Sequence, residues 1–157
     1  MSAGDSDRVR VEIGIAVVER AGQYLVGRRP ESISFAGYWE FPGGKCKANE
    51  TPADAARREC LEETGLAVEM GPLLAEVEHS YPHGPVRLWF FAARVQATES
   101  PLPERFRWTD RAALGSMSFP AANAAVVEKL VRLTDRSIEQ RSSDGWQCSL
   151  GPINEEA

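Results

Sequence analysis

The segment from Pro52 to Thr64 carries signals for both ends of a helix, and the rest of the chain must be arranged around it. Thr51 can cap its start, Pro52 suits the first helical position, Asp54 stands three residues after the cap, and Gly65 can end it. Runs of β-branched and aromatic residues flank this helix. VEIGIAVVER (Val11 to Arg20) and QYLVGRR (Gln23 to Arg29) meet at Ala21-Gly22, a hairpin signal. LLAEVEHSY (Leu73 to Tyr81) and VRLWFFAARVQ (Val86 to Gln96) are separated by a turn at PHGP and can pair as a second hairpin. Ser32 to Gly37 reads as a loop. Gly43-Gly44 is expected to end the extended segment YWEFP, because paired glycines reach backbone conformations that other residues resist. A Pro-bounded loop (Ser100 to Arg105), a short strand FRWT and a helical turn near Arg111 to Leu114 come next. A helix from Ala121 to about Leu133 closes the series, with Ala125, Val126, Leu130 and Leu133 on one face. The order strands, helix, strands, helix predicts an α/β (α+β) fold.

At 157 residues the chain is long enough for one domain with its own core. We expect that domain to span residues 1–136, with 137–157, where the periodicity falls away, as a C-terminal tail that can pack back on it. Apolar residues make up 43% and charged residues 26%, ordinary values for a globular protein. Eighteen lysines and arginines against 23 aspartates and glutamates leave a net charge of −5, so the chain has no bulk attraction for a nucleic-acid polymer. Its longest apolar run, Leu88 to Ala93, is far short of a membrane span. The opening MSAGDSDRVR lacks the apolar stretch of a signal peptide, giving the expectation of a cytoplasmic protein. Cys46, Cys60 and Cys148 are odd in number and lack CxxC spacing, so they are read as reduced thiols, Cys60 in the core.

Five glutamates, Glu40, Glu50, Glu59, Glu62 and Glu63, crowd the region around the helix. Glu59, Glu62 and Glu63 span about 100° of helical arc and so share one face, where like charges repel. Water can solvate such a face. A cluster of hard oxygen donors beside a glycine-opened loop also meets the needs of Mg²⁺ or Mn²⁺, which would let an acidic protein hold an anionic phosphate substrate.

Gly44, Glu50, Arg58-Glu59-Cys60, Glu62-Glu63 and Gly65-Leu66 match the Nudix box, GX5EX7REUXEEXGU with U apolar, at every fixed position. Seven defined residues in register arise by chance on the order of once in a million such chains. The chain therefore resembles the Nudix hydrolases, which implies a mixed β-sheet sandwiched between helices and cleavage of a nucleoside diphosphate linked to another group. Carried over residue by residue, the resemblance makes Glu59, Glu62 and Glu63 the metal ligands and one of them the base that activates water. It brings the backbone of Gly43 and Gly44 to the ion, and it gives Glu50 and Arg58 the task of bracing loop against helix.

GRRPESISFAGYWEFPGGK (Gly27 to Lys45), VRLWFFAARV and SFPAANAAVVEKL (Ser118 to Leu130) further resemble the MutT-like 8-oxo-dGTP diphosphatase subgroup. That resemblance implies a base pocket formed by Arg29, Phe41 and Asn123. A carboxamide suits the oxidised purine, because it can donate to O6 and accept from N7–H at once, whereas guanine carries no proton on N7. Asn123 can instead cap the last helix, and Phe41, Trp39 and Tyr38 can serve in packing. Of Arg28 and Arg29 only one can face the pocket, since strand neighbours alternate; Arg29 is the expected one.

The chain also departs from the subgroup. Gly84 stands near where the MutT enzyme has an arginine, and Arg87 follows a few residues later. For the family's further acidic metal ligand, Glu104 is the nearest candidate. His79 and His83 read as turn residues, because Pro82 and Gly84 oppose a helix between them. The expected activity is a conversion of 8-oxo-dGTP to 8-oxo-dGMP and pyrophosphate that depends on Mg²⁺, with Mn²⁺ as the alternative ion, on a small nucleotide substrate and with neither a nucleic-acid polymer nor a membrane as partner. The rivals are a CTP or methyl-dCTP pyrophosphohydrolase and a non-catalytic Nudix-like nucleotide-binding domain.

Overall fold

The computed structural model describes residues 11–30, 37–96 and 101–132. The tail, Cys148, Leu133 and most of the loop from Ser32 lie outside the described residues. Strands β1 (Val11–Arg20), β2 (Gln23–Arg28), β3 (Trp39–Glu40), β4 (Gly43–Lys45), β5 (Val68–Tyr81), β6 (Gly84–Val95) and β7 (Phe106–Asp110) form one seven-stranded sheet. Its main path runs β3-β2-β1-β6-β5, with β4 paired to β1 and β7 to β2. The β1–β6 pairing is parallel and the others antiparallel, so the sheet is mixed.

Alternation along β1 explains the layering. Gly14, Ala16 and Val18 face α1 (Pro52–Thr64), where Ala16 and Val18 form a core with Ala56 and Cys60. Ile13, Ile15 and Val17 face the other way, into a core with Leu114, Val126 and Leu130. That second layer comprises a 3-10 turn (Arg111–Ser116), a second one (Ala121–Asn123) and α2 (Ala124–Arg132). The sheet is thus sandwiched between helices. Among the described residues no helix is long and apolar enough to cross a membrane.

Helix α1 has the bounds and caps expected of it. The Thr51 hydroxyl accepts from Asp54 N at 3.2 Å, and Gly65 adopts φ 78° with its N–H on Leu61 O. The β1–β2 turn uses positive φ at both Ala21 and Gly22, the geometry whose twist matches a two-residue hairpin.

Three expectations are corrected. Gly43-Gly44 does not end an extended segment; it lies in β4, which pairs with Ile13–Ile15 of β1. Neither glycine has a positive φ, and glycine is required there for closeness: a Cβ on Gly43 would stand 2.5 Å from Gly14 O. Strand β5 begins at Val68 rather than Leu73, because the chain carries the Gly71-Pro72 interruption as an irregularity in register with β6 instead of breaking there. The last helix opens as a 3-10 turn, and Asn123 does not cap it; its Nδ2 donates to Pro120 O at 3.3 Å.

Cys60 is fully buried behind the carboxylate face of α1, and burial pushes its thiol up to about 11. At Gly14 the contact between β1 and α1 leaves no room: a Cβ would lie 1.9 Å from Pro52 O. We expect Gly14→Ala to destabilise the fold by about 1 to 3 kcal/mol, read as a lower urea midpoint with an unchanged slope.

Candidate active site

The buried face of α1, Ala55, Ala56, Cys60 and Thr64, anchors the helix to the sheet and leaves Arg58, Glu59, Glu62 and Glu63 along its open side. Arg58 organises them. Its Nε and Nη2 grip both oxygens of Glu50 at 2.8 and 2.9 Å, Nη2 also donates to Lys45 O, and Nη1 donates to Glu59 Oε1 at 2.9 Å and Glu62 Oε2 at 3.2 Å. Those contacts number five, one for each N–H of a guanidinium. Glu50 in turn accepts from Lys47 N, closing the loop that turns at Asn49 with φ 65°. This pairing lowers the Glu50 carboxyl to about 2 and raises Arg58 further above its usual range.

Glu63 lies at the other end of the cluster. Its Oε2 accepts from Arg105 Nη2 at 3.2 Å, and Arg105 Nη1 reaches Glu40 Oε1 at 2.9 Å. The second oxygen of Glu40 accepts from Arg29 Nη1 at 2.6 Å. Burial pushes the Glu63 carboxyl up to about 8; Arg105 opposes the rise, while Glu40 and Glu59 add to it.

Beside the carboxylates opens a cavity of about 690 Å³. Val11, Ile13, Ile15, Val86 and Leu88 supply apolar lining, and Arg29, Glu40, Phe41, Gly43, Gly44, Lys45, Tyr81, Pro82, His83, Pro120 and Asn123 contribute the rest. Phe41 is only 4% exposed, with its ring stacked on Phe119 at 5.2 Å. Asn123 is 7% exposed; one hydrogen of Nδ2 goes to Pro120, and no described group pairs with its Oδ1. Arg29 lines this cavity, whereas Arg28 lines a separate depression with Trp39, Glu104, Arg105 and Arg107.

The expected residues therefore divide. Glu59, Glu62, Glu63, Glu50, Arg58 and Gly44 come together, and Arg29, Phe41, Asn123, Gly43 and Gly44 line one cavity. Glu104 does not join the cluster. It is exposed, and the residue that turns toward Glu63 is its neighbour Arg105. His79 lies within β5 rather than in the turn, and His83 occupies the turn; both pack on Tyr81. The roles of Arg105 and Glu40 were missed by the sequence reading. A signal for Arg105 existed in alternation, since Phe106 is a core position and its neighbour must point away from the core.

The NUDIX domain family pattern matches residues 14–129. The chain belongs to the Nudix hydrolase family. This Nudix hydrolase is 31% identical over 137 residues to the 8-oxo-dGTP diphosphatase of Haemophilus influenzae, covering 85% of this chain and 99% of that one. It is 38% identical over 65 residues to the CTP pyrophosphohydrolase of Escherichia coli, covering 41% and 48% respectively. The crystal structure of a MutT protein from Methanosarcina mazei superposes with a TM-score of 0.68 at 23% identity, over 80% of this chain and 96% of that one, and so shares its fold.

Nudix hydrolases use divalent metal ions, and the donors of this one fit such an ion. Glu59, Glu62 and Glu63 offer hard carboxylate oxygens, and Gly44 passes so close that a Cβ there would stand 2.5 Å from Glu59 Cδ, which makes a narrow cradle of backbone and carboxylate. In the present arrangement no three acidic, histidine or cysteine side chains among the described residues are grouped to grip an ion. Arg58 and Arg105 hold one oxygen each of Glu59, Glu62 and Glu63.

A pH dependence follows. Because the folded Glu63 carboxyl is raised from 4.5 to about 8, the folded protein holds a proton that the unfolded chain releases, and stability falls as pH climbs from about 4.5 through 8. Glu50 acts in the opposite sense: its contribution is present above 4.5 and lost as pH falls toward 2. Thermal melts in EDTA should show Tm declining from pH 5.5 to 8.5 in the wild type and a flatter profile in Glu63→Gln. Equal slopes would count against the raised Glu63.

Proposed function

We propose that this Nudix hydrolase is a Mg²⁺-dependent nucleoside triphosphate pyrophosphohydrolase that converts 8-oxo-dGTP to 8-oxo-dGMP and pyrophosphate, acting on free nucleotides in the cytoplasm. The observation that carries the substrate choice is Asn123, almost buried in the wall of the cavity, with its Oδ1 and one Nδ2 hydrogen left for a ligand. That pair matches the acceptor O6 and donor N7–H of 8-oxoguanine. Guanine would set its bare N7 against Oδ1, a mismatch worth about 1 to 3 kcal/mol, or roughly tenfold to 150-fold. The identity to the Haemophilus influenzae 8-oxo-dGTP diphosphatase over nearly the whole of that protein supports the same substrate.

The chemistry divides between the cavity and the carboxylates. Phe41, braced by Phe119, and the apolar floor receive the base; Arg29, fixed by Glu40, closes one side. Held by Glu59, Glu62 and Glu63, Mg²⁺ would neutralise phosphate charge and make an attacking water more acidic. Arg58 orients Glu59 and Glu62, so that the carboxylate acting as base is aimed before substrate arrives. Water adds to the β-phosphorus and its proton passes to that carboxylate. The bond from the β-phosphorus to the bridging oxygen breaks, and the nucleoside monophosphate leaves with that oxygen.

A CTP pyrophosphohydrolase is the competing reading, favoured by the shorter match to the Escherichia coli enzyme of that name. With Mg²⁺, kcat/KM for 8-oxo-dGTP should exceed that for dGTP by at least tenfold and exceed those for CTP, dCTP and methyl-dCTP, with pyrophosphate as product. Asn123→Asp should lower the 8-oxo-dGTP to dGTP ratio by about tenfold to 100-fold and shift preference toward cytidine nucleotides; an unchanged ratio would remove Asn123 from base reading. Glu59→Gln and Glu62→Gln should each reduce kcat by about 10²- to 10⁴-fold while the far-ultraviolet circular dichroism spectrum stays the same.

A further inference from the structure

The five carboxylates at the active site are shared among three guanidiniums. Arg58 takes Glu50, Glu59 and Glu62, Arg29 takes Glu40, and Arg105 joins Glu40 to Glu63. Arg105 is firmly seated. Its carbonyl accepts from Arg28 N at 2.8 Å, and its guanidinium lies 4.2 Å from the centre of the Phe106 ring. That ring rests over Gly27, where a Cβ would come within 2.5 Å of it. One cation bridging two carboxylates in a partly buried site is also what a divalent ion does between two acids.

A guanidinium keeps its proton throughout the working pH range and cannot be exchanged for a metal from solution.

We propose that Arg105 stands in for a second divalent cation between Glu40 and Glu63, so that the nucleotide-free enzyme binds one metal ion and not two. Arg105 is thus a positioning residue, a fixed positive charge that holds Glu63 and, through Glu40 and Arg29, ties the metal end of the site to the base cavity. This rests on the metal role given above to Glu59, Glu62 and Glu63.

The test is a titration of the nucleotide-free full chain with Mn²⁺, counting bound ions from the paramagnetic resonance signal of the free ion. The wild type and Arg105→Lys should each bind one ion. Arg105→Gln and Arg105→Ala should bind two, and Arg105→Gln combined with Glu40→Gln should return to one. If Arg105→Ala fails to fold, Arg105→Gln gives the same count with less loss of packing. Two ions in the wild type, or one ion in both Arg105→Gln and Arg105→Ala, would overturn the role of Arg105 and leave the metal role of the glutamates standing. No bound ion in any of these proteins would overturn both.

Discussion

One guanidinium makes the acidic helix possible. Glu59, Glu62 and Glu63 repel one another on a single face of α1, and the helix dipole offers them no help so far from its start. Arg58 resolves the conflict by donating to Glu50, Glu59, Glu62 and the carbonyl of Lys45 at once. The contact is half-buried and bidentate to Glu50, which puts it above the small contribution of an isolated surface ion pair. Because its partners lie on β4, on the following loop and on the helix, the same side chain sets the distance between the glycine strand and the carboxylates.

Much of this arrangement was legible because local chemistry dictates it. Thr51, Pro52 and Gly65 mark the ends of α1 by capping rules that do not depend on distant contacts, and spacing alone puts the three glutamates on one face. What escaped the sequence depends on approach between segments far apart in the chain. Gly43 and Gly44 were read as conformational breakers, yet they serve as flat backbone where Gly14 and Glu59 press against them. Glu104 drew notice because its charge suited a metal, but the turn held by Phe106 N on Pro103 O leaves Glu104 exposed while Arg105 reaches Glu63. Whether Asn123 capped a helix or faced a cavity could be decided only once the 3-10 turn had placed its side chain.

Strand β1 serves two tasks at once. Its small residues, Gly14 and Ala16, admit the first turns of α1, while Ile13 and Ile15 on the opposite face line the cavity beside Asn123. Parallel pairing with β6 over Val11 to Glu19 stiffens the strand along nearly its whole length. The carboxylate end and the base end of the site are therefore mounted on opposite faces of one rigid element, and their separation does not depend on a hinge. The rest of the lining comes from other elements, with Asn123 in the second 3-10 turn and the aromatic pair Tyr81 and His83 at the tip of the β5–β6 hairpin.

The buried thiol on the rear face of α1 is held in its neutral form. With its pKa near 11, on the order of one Cys60 in 10⁴ is a thiolate at neutral pH, and peroxides attack the thiolate rather than the thiol. Burial and the carboxylates of Glu50 and Glu12 push Cys46 upward as well. Both described cysteines are thus held toward the neutral thiol, and Cys60 is also closed off from solvent. The rear of α1 is thereby closed by a neutral, enclosed sulfur, while its front carries the carboxylates.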